Sequence, residues 1–149
     1  MWKKGLAVML AAGLAAMSLS GCGDAAANGG KEKVRLMVWS PSEDQSKDSG
    51  EWLQTNCEAF AEEHPQWDIT FVYGVADEAS AAGQVAQDPE ASADVFMFAN
   101  DTLTTLTDAD GLTKFGGKYR EEIESENSQQ VLDSLTMDGE LYGVPFTTN

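Results

Sequence analysis

Nucleophilic chemistry needs a thiol, hydroxyl or amine beside a base, and this chain has few parts from which to build it. It holds two cysteines and one histidine. Cys57 and His64 lie in one helical segment with no recognisable oxyanion site near them. No G-x-S-x-G elbow occurs, and His64, just before Pro65, reads as a solvated helix-terminal residue. Asp108-Ala109-Asp110-Gly111 has the opening of a calcium loop. It lacks a third ligand before the glycine and a later glutamate at the fixed spacing. Gly111 therefore reads as a helix C-cap. Glycoside hydrolysis needs two carboxylates flanking the scissile bond, and 25 acidic residues supply candidates too freely to single out a pair. No catalytic set, metal or cofactor is expected, and the chain does not read as an enzyme. Carboxylates, amides and aromatic rings remain, which are groups that bind.

Cys22 is the one thiol with a telling context. Two lysines in Met1–Lys4 precede an apolar run, Gly5–Leu19, and then Leu19-Ser20-Gly21-Cys22. Positive n-region, apolar h-region and small residues at a cleavage point make a secretory signal, too short to span a bilayer comfortably. Leu-Ser-Gly-Cys resembles the lipobox of bacterial lipoproteins, in which the cysteine is lipidated and becomes the new N-terminus. Residues 1–21 are thus expected as signal peptide. Residues 22–33, which carry no large apolar side chain, are expected as a flexible tether. Two acyl chains hold a protein stably at a membrane where one does not. The expected location is the extracellular face of the cell membrane, or its periplasmic side in a cell with an outer membrane. Cys57 would then be alone, with no intramolecular disulfide. It stands at i+4 from Leu53, on an apolar helical face with Phe60 and Ala61, as a small buried hydrophobe.

Charge narrows the partners. The net charge of −16 moves to about −18 once Lys3 and Lys4 leave with the signal. Phosphate neutralisation needs clustered Lys and Arg, and the remaining basic residues are mostly scattered, so nucleic acid is not expected. The same argument disfavours electrostatic docking on an anionic membrane, which leaves anchoring to lipid. The acidity serves solubility.

The elements that must position a site follow from periodicity. Val34–Trp39 is a β-branched and apolar run ended by Ser40-Pro41-Ser42, a strand and then a loop. Ser49 to Glu63 turns helical, with Leu53, Cys57, Phe60 and Ala61 on one stripe and Pro65 as the stop. Asp68–Tyr73 is a second strand and Ala76–Gln87 a second helix. Asp94–Phe98 is a third strand, apolar on both faces as a central parallel strand would be. A helical turn near Asp101–Thr107 follows, then acidic helical stretches at Lys118–Ser125 and Ser128–Ser134. The run Glu121, Glu122, Glu124 and Glu126 makes a solvated face. Asp138-Gly139 between apolar flanks predicts a type I′ hairpin turn. Strand–helix–strand–helix–strand specifies a parallel sheet with crossover helices, an α/β fold. Ligands of such sheets sit beyond the carboxyl ends of the strands. The loops starting at Trp39-Ser40, Tyr73-Gly74 and Phe98-Ala99 are then expected on one edge.

Taken in order, three segments carry a family resemblance. They are Leu36–Trp39 with the helix holding Phe60-Ala61-Glu62-Glu63-His64-Pro65; Ala93–Asp101; and Met137–Phe146. From Val34 to Asn149 the chain resembles the amino-terminal lobe of family 1 extracellular solute-binding proteins. This is the ABC-importer family that includes maltose-binding protein. The resemblance implies a type II periplasmic-binding-protein-like lobe, with a parallel-rich sheet flanked by helices. Residues 34–149 form part of that lobe, and the second lobe is missing. It implies no enzyme activity and a monomer that closes on a solute at the hinge. Its partners would be ABC permease subunits with a separate ATPase, and a membrane reached through the Cys22 lipid anchor. It places ligand contacts at Trp39, Ser40, Glu43 and Asp44, then at Phe98, Asn100 and Asp101, and finally at Asn149. Pro41 and the lack of a lysine in the first of these loops depart from the maltose-binding pattern.

That set suits a sugar, whose C–H faces pack on aromatic rings and whose hydroxyls pair with carboxylates and amides. Trp39 and Phe98 at strand ends also suit a core, Glu43 and Asp44 a solvated loop, and Asp101 a helix N-cap. Two rivals to solute capture are a lipid-anchored carbohydrate-active enzyme and a surface lipoprotein without a ligand.

Overall fold

The computed structural model describes residues 30–146. Cys22, the signal peptide, most of the expected tether and Asn149 lie outside the described residues. Three parallel strands make the sheet: β1 (Glu32–Ser40), β2 (Trp67–Val75) and β3 (Val95–Phe96) in the order β2-β1-β3. β1 and β2 pair over their whole lengths, from Glu32 opposite Trp67 to Ser40 opposite Val75. β3 joins only at Val38 opposite Val95 and Trp39 opposite Phe96. Asp94 extends that seam: its amide donates to the Met37 carbonyl (2.9 Å), and its carboxylate accepts from the Met37 amide (2.7 Å).

The expected third strand is therefore shorter than Asp94–Phe98, and β1 rather than β3 is central. Val95 is 53% exposed, as an edge position allows. The apolar run beyond it leaves the sheet, and Phe98 packs against the clusters around Leu106 and Leu141.

Helix α1 (Trp52–Glu63) covers one face of the sheet through Leu53 and Cys57, which pack on Val38 with Leu36 and Phe71. It starts three residues later than the periodicity predicts, because short 3-10 turns at Ser42–Gln45 and Lys47–Ser49 take up the intervening chain. Phe60 is not on the buried stripe; it is 39% exposed. It leans on His64 (ring centroids 4.3 Å), and His64 stacks on Trp67 (4.8 Å). The expected solvated histidine is thus wedged between two rings.

Helix α2 (Glu78–Gln87) is capped by the Asp77 carboxylate, which accepts from the Ser80 amide at 2.7 Å. Helix α3 (Leu103–Asp108) packs against it, and Ala82, Val85 and Leu106 enclose Trp39, Phe96, Phe98 and Leu112 on the second face. Asp110, not Gly111, holds the left-handed position after α3 (φ 54°). The Gly111 amide reaches back to the Leu106 carbonyl and that of Asp110 to Thr107, the Schellman pattern. Gly111 is required for another reason: a Cβ there would stand 2.7 Å from Val85 Cγ1.

A second core lies beyond the sheet. Helices α4 (Gly117–Glu126) and α5 (Gln129–Asp133) and the hairpin β4 (Thr136–Met137)–β5 (Glu140–Leu141) contribute Ile123, Leu132, Leu135 and Leu141. Asp138 and Gly139 both have positive φ (52° and 80°), as the type I′ expectation requires.

Candidate functional site

The parallel register puts the carboxyl ends of β1 and β3 side by side, so the segments beginning at Ser40 and Met97 leave from one rim. Trp39 is half-buried, and its indole crosses directly over Gly74, its partner on β2. A Cβ at Gly74 would fall 2.3 Å from Trp39 Cδ1, so only glycine permits this approach. Phe98 is half-buried too and touches both the α2–α3 cluster and the hairpin cluster. Both rings anchor the rim from beneath.

Ser40 is 1% exposed, and its hydroxyl donates to the Pro41 carbonyl and accepts from Gln45 Nε2. It is held inside the fold and shapes the loop rather than meeting solvent. Glu43 is exposed and Asp44 half-buried, both on the 3-10 turn of Ser42–Gln45. Asn100 and Asp101 are exposed on a second 3-10 turn, Asn100–Thr102, which feeds α3. Asp101 does not cap α3; Thr102 occupies that position without a side-chain bond. Among the described residues no cation pairs with Glu43, Asp44 or Asp101. Glu43 Oε2 accepts from the Ser42 hydroxyl at 3.2 Å, and Asp44 and Asp101 have no side-chain cation beside them among the described residues.

Two features were not anticipated from the sequence. Gln45 Nε2 donates to the Gly74 carbonyl at 2.8 Å, and to the Ser40 carbonyl and hydroxyl at 3.2 Å each. One amide thus fastens the acidic turn to the end of β2. The Glu43 carbonyl accepts from the Ser46 amide and hydroxyl and from the Ser49 hydroxyl, which closes the loop on itself. Gln45 directly follows the candidate Asp44, and only its polarity at a strand exit marked it. The second feature is the left-handed pair Gly50 (φ 74°) and Glu51 (φ 53°) just before α1. At a non-glycine residue that conformation costs on the order of 1–3 kcal/mol, which the surrounding turns must offset.

On the opposite side of α1, burial pushes the Cys57 thiol up, against a smaller opposing hydrogen bond from Tyr73. The Tyr73 phenol is pushed up to about 12, by burial first and then by Cys57. Such a thiol is a poor nucleophile at neutral pH, which agrees with its packing role.

An open parallel sheet with polar turns at its carboxyl rim defines the class: an α/β lobe. A family model described as bacterial extracellular solute-binding protein matches residues 55–149, and the chain belongs to that family. A solved structure determined with acarbose is 43% identical with a TM-score of 0.73, covering 80% of this chain and 31% of that one. The maltodextrin-binding protein MalE1 from L. casei BL23, without ligand, is 20% identical with a TM-score of 0.64. That match covers 75% of this chain and 29% of that one and bears on the fold alone. No curated protein matches in sequence. The chain spans under a third of the length of the solved proteins it matches. The fold is that of a type II periplasmic binding protein, as the family resemblance implies.

Proposed function

We propose that this chain is the amino-terminal jaw of a receptor that captures a sugar or oligosaccharide between two lobes and delivers it to an ABC permease. The observation that carries the reading is the 43% identity, over most of this chain, to a structure determined with acarbose. The rim carboxylates, none of them ion-paired among the described residues, support it. Glu43, Asp44 and Asp101 accept from sugar hydroxyls, Asn100 and Asn149 add amide contacts, and Trp39 and Phe98 set the floor. Each charge-assisted bond contributes about 1.5–3 kcal/mol. Hydroxyl stereochemistry then decides which sugar stays, because a desolvated carboxylate without its partner is costly. The receptor hydrolyses nothing. The acyl-modified Cys22 holds it at the extracellular face of the cell membrane, the receptor acts as a monomer, and a separate ATPase powers import.

One jaw cannot enclose a solute. The 149-residue chain is therefore expected to bind maltotriose or acarbose only in the millimolar range, seen as amide shifts along residues 42–46 and 99–102 in NMR titration. Asp44→Asn should abolish those shifts. Micromolar affinity for this chain by calorimetry would sink the two-jaw mechanism. Turnover on a panel of glycosides would replace it with an enzyme. For the anchor, mass spectrometry should find acyl chains on Cys22, and Cys22→Ser should release the protein into the medium.

A further inference from the structure

Strand β2 is an edge of the sheet among the described residues, since β1 is its only ladder partner. Its outer side follows residue by residue. The Gln66 carbonyl accepts from the Glu32 amide (3.2 Å), and the Ser40 carbonyl accepts from the Ala76 amide (3.1 Å). Neighbouring residues of a strand direct their backbone groups to opposite sides, and the register runs the length of β2 without a bulge. Even-numbered residues of β2 therefore face β1, while Trp67, Ile69, Phe71, Tyr73 and Val75 turn their amides and carbonyls outward. The Trp67 amide is taken by the His64 carbonyl (3.0 Å); those of Ile69, Phe71, Tyr73 and Val75 have no acceptor among the described residues. Edge strands are ordinarily blunted by lysine, proline or a bulge. This one carries none of them, and its only charge is Asp68. The outward residues also share one face of the strand, where Phe71 packs with Leu53 and Cys57 but Tyr73 stays 37% and Val75 68% exposed.

We infer that β2 pairs edge to edge with β2 of a second copy of this chain, antiparallel about a two-fold axis at Phe71, so that the two sheets become one. The strand is self-complementary in that register. Phe71 meets its own copy, Ile69 lies opposite Tyr73, and Trp67 lies opposite Val75. Outward amides then meet outward carbonyls, and apolar side chains meet apolar side chains. Asp68 falls opposite Gly74 and Thr70 opposite Val72, so no two like charges stand directly across the seam. A register displaced by one residue would set outward groups against inward ones. The inference does not rest on the receptor reading: a single copy delivers solute, and the seam joins copies not engaged in delivery. Both copies are acidic, so salt favours the pair by screening their mutual repulsion.

The test is hydrogen exchange by NMR on the whole chain from micromolar to millimolar concentration, with sedimentation to report mass and circular dichroism to check the fold. Protection should rise with concentration at Ile69, Phe71, Tyr73 and Val75, and stay level at Thr70 and Val72, whose amides already face β1. The rise should begin at lower concentration in high salt. Tyr73→Pro removes an outward amide that the β1 ladder does not use, and Thr70→Asp sets two carboxylates diagonally across the axis. Each should raise the dissociation constant about tenfold and leave the helix signal unchanged. A wild type that stays monomeric up to millimolar concentration overturns the pairing. So does association that both variants leave untouched, or that protects other amides instead, because the copies then meet elsewhere.

Discussion

The two strand exits that make the rim are held in opposite ways. After β1 the chain is fixed by polar ties: Gln45 to Gly74 and Ser40, and the Ser46 and Ser49 hydroxyls to the Glu43 carbonyl. After β3 it is fixed by apolar weight, with Phe98 seated across two clusters and Leu106 fully buried beneath. A polar tie directs a loop and leaves its outward carboxylates accessible. An apolar seat supplies stability but says little about where Asn100 and Asp101 point. Direction at one exit and foundation at the other is a division that substitution can separate.

The largest effect is expected at the foundation. Leu106→Ala should destabilise the fold by about 2–5 kcal/mol, measured as a lower urea midpoint at unchanged slope, and should loosen the Asn100–Thr102 turn before the Ser42–Gln45 turn. Equal loosening at both exits would erase the distinction. Gly74→Ala comes next. Its Cβ displaces the Trp39 ring, an overpacking cost of about 1–3 kcal/mol, and because Trp39 underlies both exits, amide shifts should appear on both.

Gln45→Ala should cost about 1 kcal/mol and act on one side only. Hydrogen-exchange protection should fall at Ser46 and Gly50 and stay unchanged at Thr102. Loss of protection at Thr102 would mean that the β1 exit supports the other.

The smallest effect is a pH dependence. A hydrogen bond from Lys114 at 2.8 Å holds the Glu140 carboxyl below its ordinary value, and the same bond raises Lys114. A carboxyl depressed in the folded state contributes stability above its ordinary pKa, and that contribution is lost as pH falls through the folded value. Acidification below about pH 4 should therefore slacken the hairpin behind Phe98 and spare the Gln45 tie. Lys114→Ala should reduce that acid sensitivity, leaving the weaker contribution of Arg120 at 3.7 Å, and both effects should weaken in high salt, since the pair is exposed.

Periodicity revealed most of the elements because each carries its own pattern. Leu53 and Cys57 at i, i+4 did mark a buried stripe, and Asp138-Gly139 did mark a turn with two positive φ values. What it missed was decided between elements. The width of β3 depends on where Phe98 finds apolar neighbours, and those come from helices and a hairpin later in the chain. Asp110 rather than Gly111 turns left-handed, and Gly111 is needed because Val85 leaves no room for a side chain, a contact no local pattern encodes. The rim itself was legible from strand order, since parallel neighbours must exit together. The ties of its residues were not: Ser40 shares the inward face of β1 with Val38, and Gln45, five positions on, donates to its hydroxyl.

The central position of β1 has a consequence for the order of assembly. The sheet's middle strand leaves the ribosome first, and its partners follow far behind, Trp67 opposite Glu32 and Val95 opposite Val38. Until Val75 has emerged, the apolar strand Val34–Trp39 has no neighbour on either flank. The β1-α1-β2 unit is the earliest piece able to close on itself, and the later helices and hairpin build on it.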